Sequence, residues 1–300
     1  MTTQTRYSLY VLLTAMLAAI GNILVEIILR FFQTTPFMVV LLSNLIGGAF
    51  LVGLVVWQRT PIRSGWRKFD WLRLVGAALA IYAFAFMVRF SAIGLIGSGK
   101  AILLGRVETI FVVVLAVIFL GEVWSVQHWT AGILTLGGAI LINLNATAWQ
   151  LQFGRGEFLA ILAPFGLAIG IITLKPMLDR LDAQWITGLA LLLGGLFLLP
   201  FWPRYGQAIG LQQAVFWLIA LSGVLRGLSW SLYNLSMRHI GASRSAIIFL
   251  SSAFFTVLGQ VVLDAIWPGL RLQVPDNLLM AVIGGVVMAI GIVILQGRRG

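Results

Sequence analysis

The chain has 300 residues, of which 60% are hydrophobic and 10% charged, and its mean hydropathy is +1.03. Soluble domains contain roughly 45–50% apolar and about 25% charged residues, so lipid must solvate much of this chain. The net charge of +11 is spread over short stretches between apolar segments, as in orientation signals, and we exclude nucleic acid as a partner. With no cysteine and two histidines, we expect no metal site and no cofactor.

Apolar segments long enough to span a bilayer recur along the whole chain, and short connections separate them. A spanning helix needs about 20 residues, and continuous apolar runs favour helices over strands because lipid leaves no open backbone unpaired. We therefore predict an all-α integral membrane protein with ten transmembrane helices at 8–30, 37–57, 71–93, 98–120, 128–145, 156–178, 184–202, 214–237, 244–267 and 278–296.

The distribution of Lys and Arg predicts the orientation of these helices. Twelve of the 20 basic residues fall on one side of the predicted membrane and six on the other, and two lie within segments. Basic residues are enriched on the cytoplasmic side of membrane proteins. Both termini are therefore predicted to be cytoplasmic.

A shift of 147 residues superposes several features of the chain on one another, which indicates an internal repeat. The matches are Gly47-Gly48 on Gly194-Gly195, Gly76 on Gly223, Ile93-Gly94 on Ile240-Gly241, Thr109 on Thr256 and Gly137-Gly138 on Gly284-Gly285. We predict two five-helix repeats, residues 1–147 and 148–300. Because each has an odd number of spans, the second is inverted, an arrangement typical of alternating-access transporters with a central cavity.

Residues 91–122 read SAIGLIGSGKAILLGRVETIFVVVLAVIFLGE, with a small-residue turn, an apolar helix and a final Leu-Gly-Glu. This stretch resembles the fourth-helix signature of the EamA-type drug/metabolite transporters, and residues 156–160 resemble the opening of that family's second repeat. The resemblance implies a bundle around a central cavity that exports amino acids, drugs or other metabolites, in the inner membrane of a bacterium. Two features depart from the family: Thr109 stands where a proline is frequent, and the second repeat lacks the Leu-Gly-Glu ending.

The eighth predicted helix carries one polar stripe. Its members follow the spacing i, i+4, i+7, i+8, i+11 and are Ser222, Arg226, Ser229, Trp230 and Tyr233. A charge at the centre of a spanning helix costs about 2.5–3.5 kcal/mol, so Arg226 requires a polar environment. The stripe is predicted to line an aqueous cavity and contact a solute. The alternative is a buried pair that holds the bundle together.

Other charges lie within the first and fourth segments. Arg106 and Glu108 are about 200° apart around a helix and need separate partners, and Arg226 at similar depth is one candidate for Glu108. Asn22, Glu26 and Arg30 follow i, i+4, i+8, which also allows a local ion pair between the last two. A buried Glu26 or Glu108 would respond to protons, so proton coupling is a further hypothesis.

The third segment adds an aromatic stripe. Tyr82, Phe86 and Arg89 share one helical face, and the 147-residue shift places Phe86 on Tyr233, so the two stripes would face each other. Aromatic walls suit the apolar part of a solute. Ordinary packing is the alternative.

The sequence thus predicts a secondary transporter that exports small polar metabolites, such as amino acids or related carboxylate-bearing solutes. The predicted substrate-binding residues are Asn22, Glu26, Tyr82, Phe86, Arg106, Glu108, Arg226, Trp230 and Tyr233. The surplus of arginines favours an anionic group on the solute. The alternatives are an exporter of drugs or lipophilic cations, or a membrane enzyme or subunit without transport activity.

Overall fold

The computed structural model describes residues 3–58, 65–105, 107–121, 125–142, 154–206, 213–270, 272 and 278–296. All regular secondary structure in these ranges is helical, as the sequence predicted. In the first half the helices are α1 (Thr3–Phe31, π-helical from Ile27), α2 (Pro36–Trp57), α3 (Asp70–Ala77, π-helical Ala78–Ala85, then Phe86–Leu104), α4 (Val107–Leu120) and α5 (Val126–Ile142). In the second half they are α6 (Arg155–Leu178), α7 (Ala183–Tyr205), α8 (Gln213–Ile240), α9 (Ala242–Phe249 and Ser252–Ile266) and α10 (Leu278–Gln296).

Helices α1, α2, α3, α6, α7, α8 and α9 are, among the described residues, the seven that are long and apolar enough to cross a bilayer. The remaining helices also turn large apolar side chains outwards: Ile118 on α4 and Ile133 on α5 are each 65% exposed. Water would oppose such exposure, whereas lipid tails favour it. The chain is an integral membrane protein.

Two glycines turn the chain sharply between consecutive helices. Gly97 (φ 78°, ψ 164°) interrupts α3, and Gly241 (φ 83°, ψ 162°) separates α8 from α9. Residues with a Cβ rarely adopt this backbone region. The shift of 147 residues had placed Gly94 on Gly241, and the structure corrects this match, because it is Gly97 that shares the conformation of Gly241.

The predicted continuous helices at 98–120 and 244–267 are both interrupted. The first is divided into the end of α3 and the start of α4 at Gly105, whose N–H still bonds to the carbonyl of Ala101. The second is divided at Leu250 and Ser251, which form a turn within α9. The long apolar runs in the sequence gave no sign of either break.

The helices pack as two groups of three, with two further pairs beside them. Helix α1 packs against α8 and α9, and helix α6 packs in the same way against α3 and α4. Helices α2 and α7 cross each other between these groups, and α5 lies along α10. We call the first set the α1 group and the second the α6 group.

Contacts between helix ends fix the relative directions of several helices. At the start of α1, the Tyr7 ring stacks on His239 near the end of α8, with centroids 3.8 Å apart. At the start of α3, the buried Asp70 carboxylate accepts hydrogen bonds from Arg180 Nη2, just beyond α6, at 2.9 and 3.0 Å. Phe37 at the start of α2 contacts Tyr205 at the end of α7, at 5.9 Å. Each of these three helix pairs is therefore antiparallel.

Glycine allows α2 and α8 to approach each other until their backbones touch. A Cβ placed on Gly47 would overlap the carbonyl oxygen of Gly223, and a Cβ on Gly223 would lie 2.9 Å from the Cα of Ser43. Small residues at such crossings permit close van der Waals packing, which is a main source of association between helices in lipid.

We expect Gly47→Ala to force α2 and α8 apart and to lower the free energy of unfolding by about 1–3 kcal/mol, the usual cost of overpacking. Gly53→Ala is the matched control on the same helix, because nothing lies within 4 Å of the added methyl group. Thermal unfolding of the purified variants in detergent measures the difference. Equal midpoints for the two variants would contradict the close crossing.

Candidate functional site

Helix α8 buries the polar stripe that its sequence predicted. Ser222 is 1% exposed, Arg226 8%, Ser229 3% and Trp230 7%. These four side chains line a cavity within the bundle, whereas Tyr233, one turn further along, packs against Phe249 at 5.5 Å and lies outside the lining. The helical spacing therefore identified a face that borders an internal space.

The cavity lies between α1, α3 and α8 and encloses about 40 Å³. Its walls also include one residue of α9. The lining residues that matter for recognition are Asn22 of α1, Phe86, Arg89 and Phe90 of α3, and the four residues of α8. A water molecule needs about 10–15 Å³ measured in this way, so the space holds only a few waters. The space is thus too small for a metabolite and must expand to admit one.

Arg226 is held in place by a relay from α2. Its Nη1 donates a hydrogen bond of 2.8 Å to Asn44 Oδ1, and Asn44 Nδ2 donates one of 2.7 Å to the carbonyl of Tyr82. The guanidinium also lies over the rings of Phe86 and Phe90, with 4.6 and 4.7 Å to their centroids. Aromatic faces attract cations, and this attraction strengthens where water is excluded.

A second guanidinium, that of Arg89, borders the same cavity. Its charge is attracted by Glu108 and repels that of Arg226. Each guanidinium carries five N–H donors. Among the hydrogen bonds of the described residues, Arg226 makes only the one to Asn44, and Arg89 makes none. Two like charges with unused donors therefore share one small space.

Aromatic rings form a continuous wall beside these arginines. Phe86 packs edge-on against Trp230 at 5.9 Å, and Trp230 packs likewise against Tyr82 at 6.2 Å and Tyr233 at 5.4 Å. The sequence had predicted that the two stripes face each other, and they do so through the contacts of Phe86 and Tyr82 with Trp230. The wall offers an apolar surface next to the positive charges.

Glu26 lies one helical turn beyond Asn22 on α1 and is 1% exposed. Its Oε2 accepts hydrogen bonds from the N–H of Ser98 at 3.2 Å, from the hydroxyl of Ser98 and from Gln260 Nε2 at 3.0 Å. Arg30 Nη1 lies 3.6 Å from Oε1, as the local ion pair predicted. An amide just after the Gly97 turn thus binds an anionic group that the protein itself supplies.

The structure brings some of the predicted substrate-binding residues together and separates others. Asn22, Phe86, Arg226 and Trp230 line the cavity. Tyr82 and Tyr233 belong to the aromatic wall but do not line the cavity, Glu26 belongs to a separate cluster, and Arg106 lies outside the described residues. Arg226 was one candidate partner for Glu108; Glu108 is buried near Arg89, and Arg226 bonds to Asn44.

Sequence reasoning missed several residues that the structure places at these sites. Asn44, Ser98 and Gln260 are each fully buried polar residues within apolar segments. An amide within an apolar helix is a usable signal, because its burial requires hydrogen-bond partners. Arg89 was noticed as part of a stripe, but it was not included among the predicted substrate-binding residues.

Comparison with known proteins places the chain among transporters. Residues 5–144 and 154–296 both match the EamA-like transporter family. An uncharacterized transporter of Methanothermobacter thermautotrophicus (strain ATCC 29096 / DSM 1053 / JCM 10044 / NBRC 100330 / Delta H) is 24% identical over 233 residues. That match covers 76% of this chain and 65% of the relative, so it leaves about a third of the relative unmatched.

A solved structure described only as the crystal structure of a protein shares the fold. The superposition has a TM-score of 0.73 and covers 97% of this chain and 96% of the other, with 14% sequence identity. At that identity the likeness concerns the fold alone. The two family matches together cover nearly the whole sequence. The chain belongs to the EamA-like transporter family.

Proposed function

We propose that the protein is a secondary transporter for metabolites that carry a carboxylate, with export of amino acids or related solutes as its activity. The observation that carries this proposal is the pair of guanidiniums, Arg89 and Arg226, whose unused N–H donors border one cavity. A carboxylate supplies planar acceptor oxygens that match such donors, and its single negative charge offsets one of the two positive charges. The wall of Phe86, Phe90 and Trp230 suits the apolar part of the solute.

The charge of the cavity argues against an exporter of lipophilic cations. A cationic drug would enter a small space that already holds two positive groups, and repulsion across so short a distance in a low-dielectric medium is costly. Aromatic faces do attract cations, but here Arg226 already lies over the rings of Phe86 and Phe90. The anionic solute is therefore the better match.

Our proposal includes ten membrane-spanning helices arranged as two inverted repeats, residues 1–147 and 148–300, with both termini in the cytoplasm. Three end contacts support it: Tyr7 with His239, Asp70 with Arg180, and Phe37 with Tyr205. Each joins positions that a ten-span chain places on the same side of the membrane. The equivalent packing of the α1 and α6 groups supports the inverted repeat, because inversion exchanges them.

Transport would follow from opening the closed cavity alternately to the two sides. The α1 and α6 groups would rock against each other, and the carboxylate would screen the repulsion between the two arginines while it is enclosed. Coupling to protons is a further part of the proposal, supported by the buried carboxyl group of Glu108 beside Arg89. The bilayer in question would be the inner membrane of a bacterium.

We expect Arg226→Gln to lower the rate of solute counterflow at least about tenfold, because charged hydrogen bonds are worth roughly 1.5–3 kcal/mol. The assay uses purified protein in liposomes and a panel of labelled amino acids, with and without a pH gradient. Arg238→Gln is the matched control near the end of the same helix, and it should transport normally. Undiminished flux through well-folded Arg226→Gln, or transport of a lipophilic cation instead, would refute the proposal.

Asn44→Asp tests whether solute binding depends on the positive charge of the cavity, without removing an arginine. The new carboxylate would occupy the position where Asn44 Oδ1 accepts from Arg226 and would pair with the guanidinium. We expect the KM for an anionic solute to rise about tenfold, since an internal anion competes with it. Ser43→Ala is the control, because the Ser43 hydroxyl bonds only within α2. An unchanged KM would mean that Arg226 does not bind the anion.

The proposed orientation is testable because the native chain contains no cysteine. A single cysteine at Arg204, near the end of α7, should react with an impermeant thiol reagent on intact cells. A single cysteine at Lys68, before α3, should react only after permeabilisation. Both positions are exposed. Reaction of both from the same side would overturn the alternating topology, and the reversed pattern would overturn the orientation.

A further inference from the structure

The cluster around Glu26 joins the two helix groups that the transport cycle would have to separate. Glu26 is on α1 and Gln260 on α9, so both belong to the α1 group. Ser98 follows the Gly97 turn of α3 and belongs to the α6 group. The hydrogen bonds from Ser98 to Glu26 and from Gln260 to Ser98 Oγ, the latter 2.9 Å long, therefore cross the boundary between the groups.

The cluster lies between the closed cavity and the protein surface. Asn22, one turn before Glu26 on α1, lines the cavity. Arg30, one turn after Glu26, lines an open recess of about 530 Å³ together with Gln33, Gly94 and Gly269. The polar face of α1 thus runs from the cavity, through Glu26, to the recess. A solute that left the cavity along this face would meet the cluster before it reached the recess.

The hydrogen bonds in the cluster are strong enough to hold the two helix groups together. Three of them converge on one carboxylate oxygen that is shielded from water. Hydrogen bonds to a charged acceptor are shorter and roughly twice as strong as neutral ones. Separation of the groups would remove the two hydrogen bonds that Ser98 donates to the Glu26 carboxylate. The carboxylate would then have fewer donors in a poorly hydrated place, which is unfavourable.

The opposite end of the bundle has no matching serine. The turn that shares the conformation of Gly97 is at Gly241, and the residue that follows it is Ala242 in place of Ser98. The methyl group of alanine cannot donate a hydrogen bond to a carboxylate. The contact at the Glu26 end therefore includes a serine hydroxyl that the residue directly after Gly241 cannot supply.

We propose that Glu26, Ser98 and Gln260 form a latch that keeps the path closed between the cavity and the recess lined by Arg30. This inference rests on the proposed transport function and assigns Glu26 to the gate instead of to solute binding. Because the described part of the chain shows the Glu–Ser–Gln set at this end alone, the latch favours the state closed towards the recess when no solute is bound. Opening on this side requires that the Glu26–Ser98 bonds break.

The test measures access to the cavity without any solute, so its result does not depend on the identity of the substrate. A single cysteine replaces Ser222, which lines the cavity, in the otherwise cysteine-free chain. The protein is purified into nanodiscs and its rate of reaction with a maleimide is measured in the native, Glu26→Gln and Gln260→Met backgrounds. A cysteine at Ala190, buried on α7 away from the cavity, reports general loosening.

We expect Glu26→Gln and Gln260→Met each to accelerate labelling at position 222 about tenfold, as loss of a charged hydrogen bond shifts a two-state equilibrium by this order. Labelling at position 190 should not change, and Thr173→Val on α6 should have no effect as a matched control. Unchanged labelling at position 222 in both variants would overturn the latch. Equal acceleration at positions 222 and 190 would also overturn it, because the cluster would then only stabilise the fold.

Discussion

The structure depends on one electrostatic constraint, which is that a guanidinium inside a membrane protein needs acceptors that lipid does not provide. Arg226 meets it with a single bond to Asn44 and with the faces of two phenylalanines, while Arg89 stands near Glu108. A purely structural arginine would use its donors within the protein. Unused donors beside this small cavity instead support the proposal that the acceptor is a solute.

The arrangement of helices places the two arginines on opposite sides of the boundary between the helix groups. The arginines sit on different groups, Arg89 on α3 and Arg226 on α8, so their repulsion acts across the boundary between the groups. Glu26 opposes it at one end of the bundle, where it binds Ser98 across the same boundary. In the proposed cycle, an enclosed anion would reduce the repulsion. The proposed closing and opening would therefore respond to the difference in charge between the empty and the occupied cavity.

The α8 stripe could be predicted from sequence because helical spacing alone decides which residues share a face. The all-helical membrane class and the family also followed from local patterns, whereas the ten predicted spans compare with seven described helices that are long and apolar enough to cross a bilayer. The partners of Arg226 and Glu26 could not, since Asn44, Ser98 and Gln260 lie on other helices and meet them only through packing. The ungapped shift failed at Gly94 because a π-helical stretch, Ala78–Ala85, precedes the turn and uses more residues per turn.

Hydrogen bonds between the two halves of the chain also constrain the order in which the protein assembles. Thr14 of α1 donates to the carbonyl of Ser229 on α8, and the Ser229 hydroxyl donates back to the carbonyl of Thr14, across 215 residues of chain. During synthesis α1 reaches the bilayer long before α8 exists. Until α8 is inserted, the polar residues of α1 face lipid or other helices. The cavity can therefore assemble only after most of the second half has been inserted.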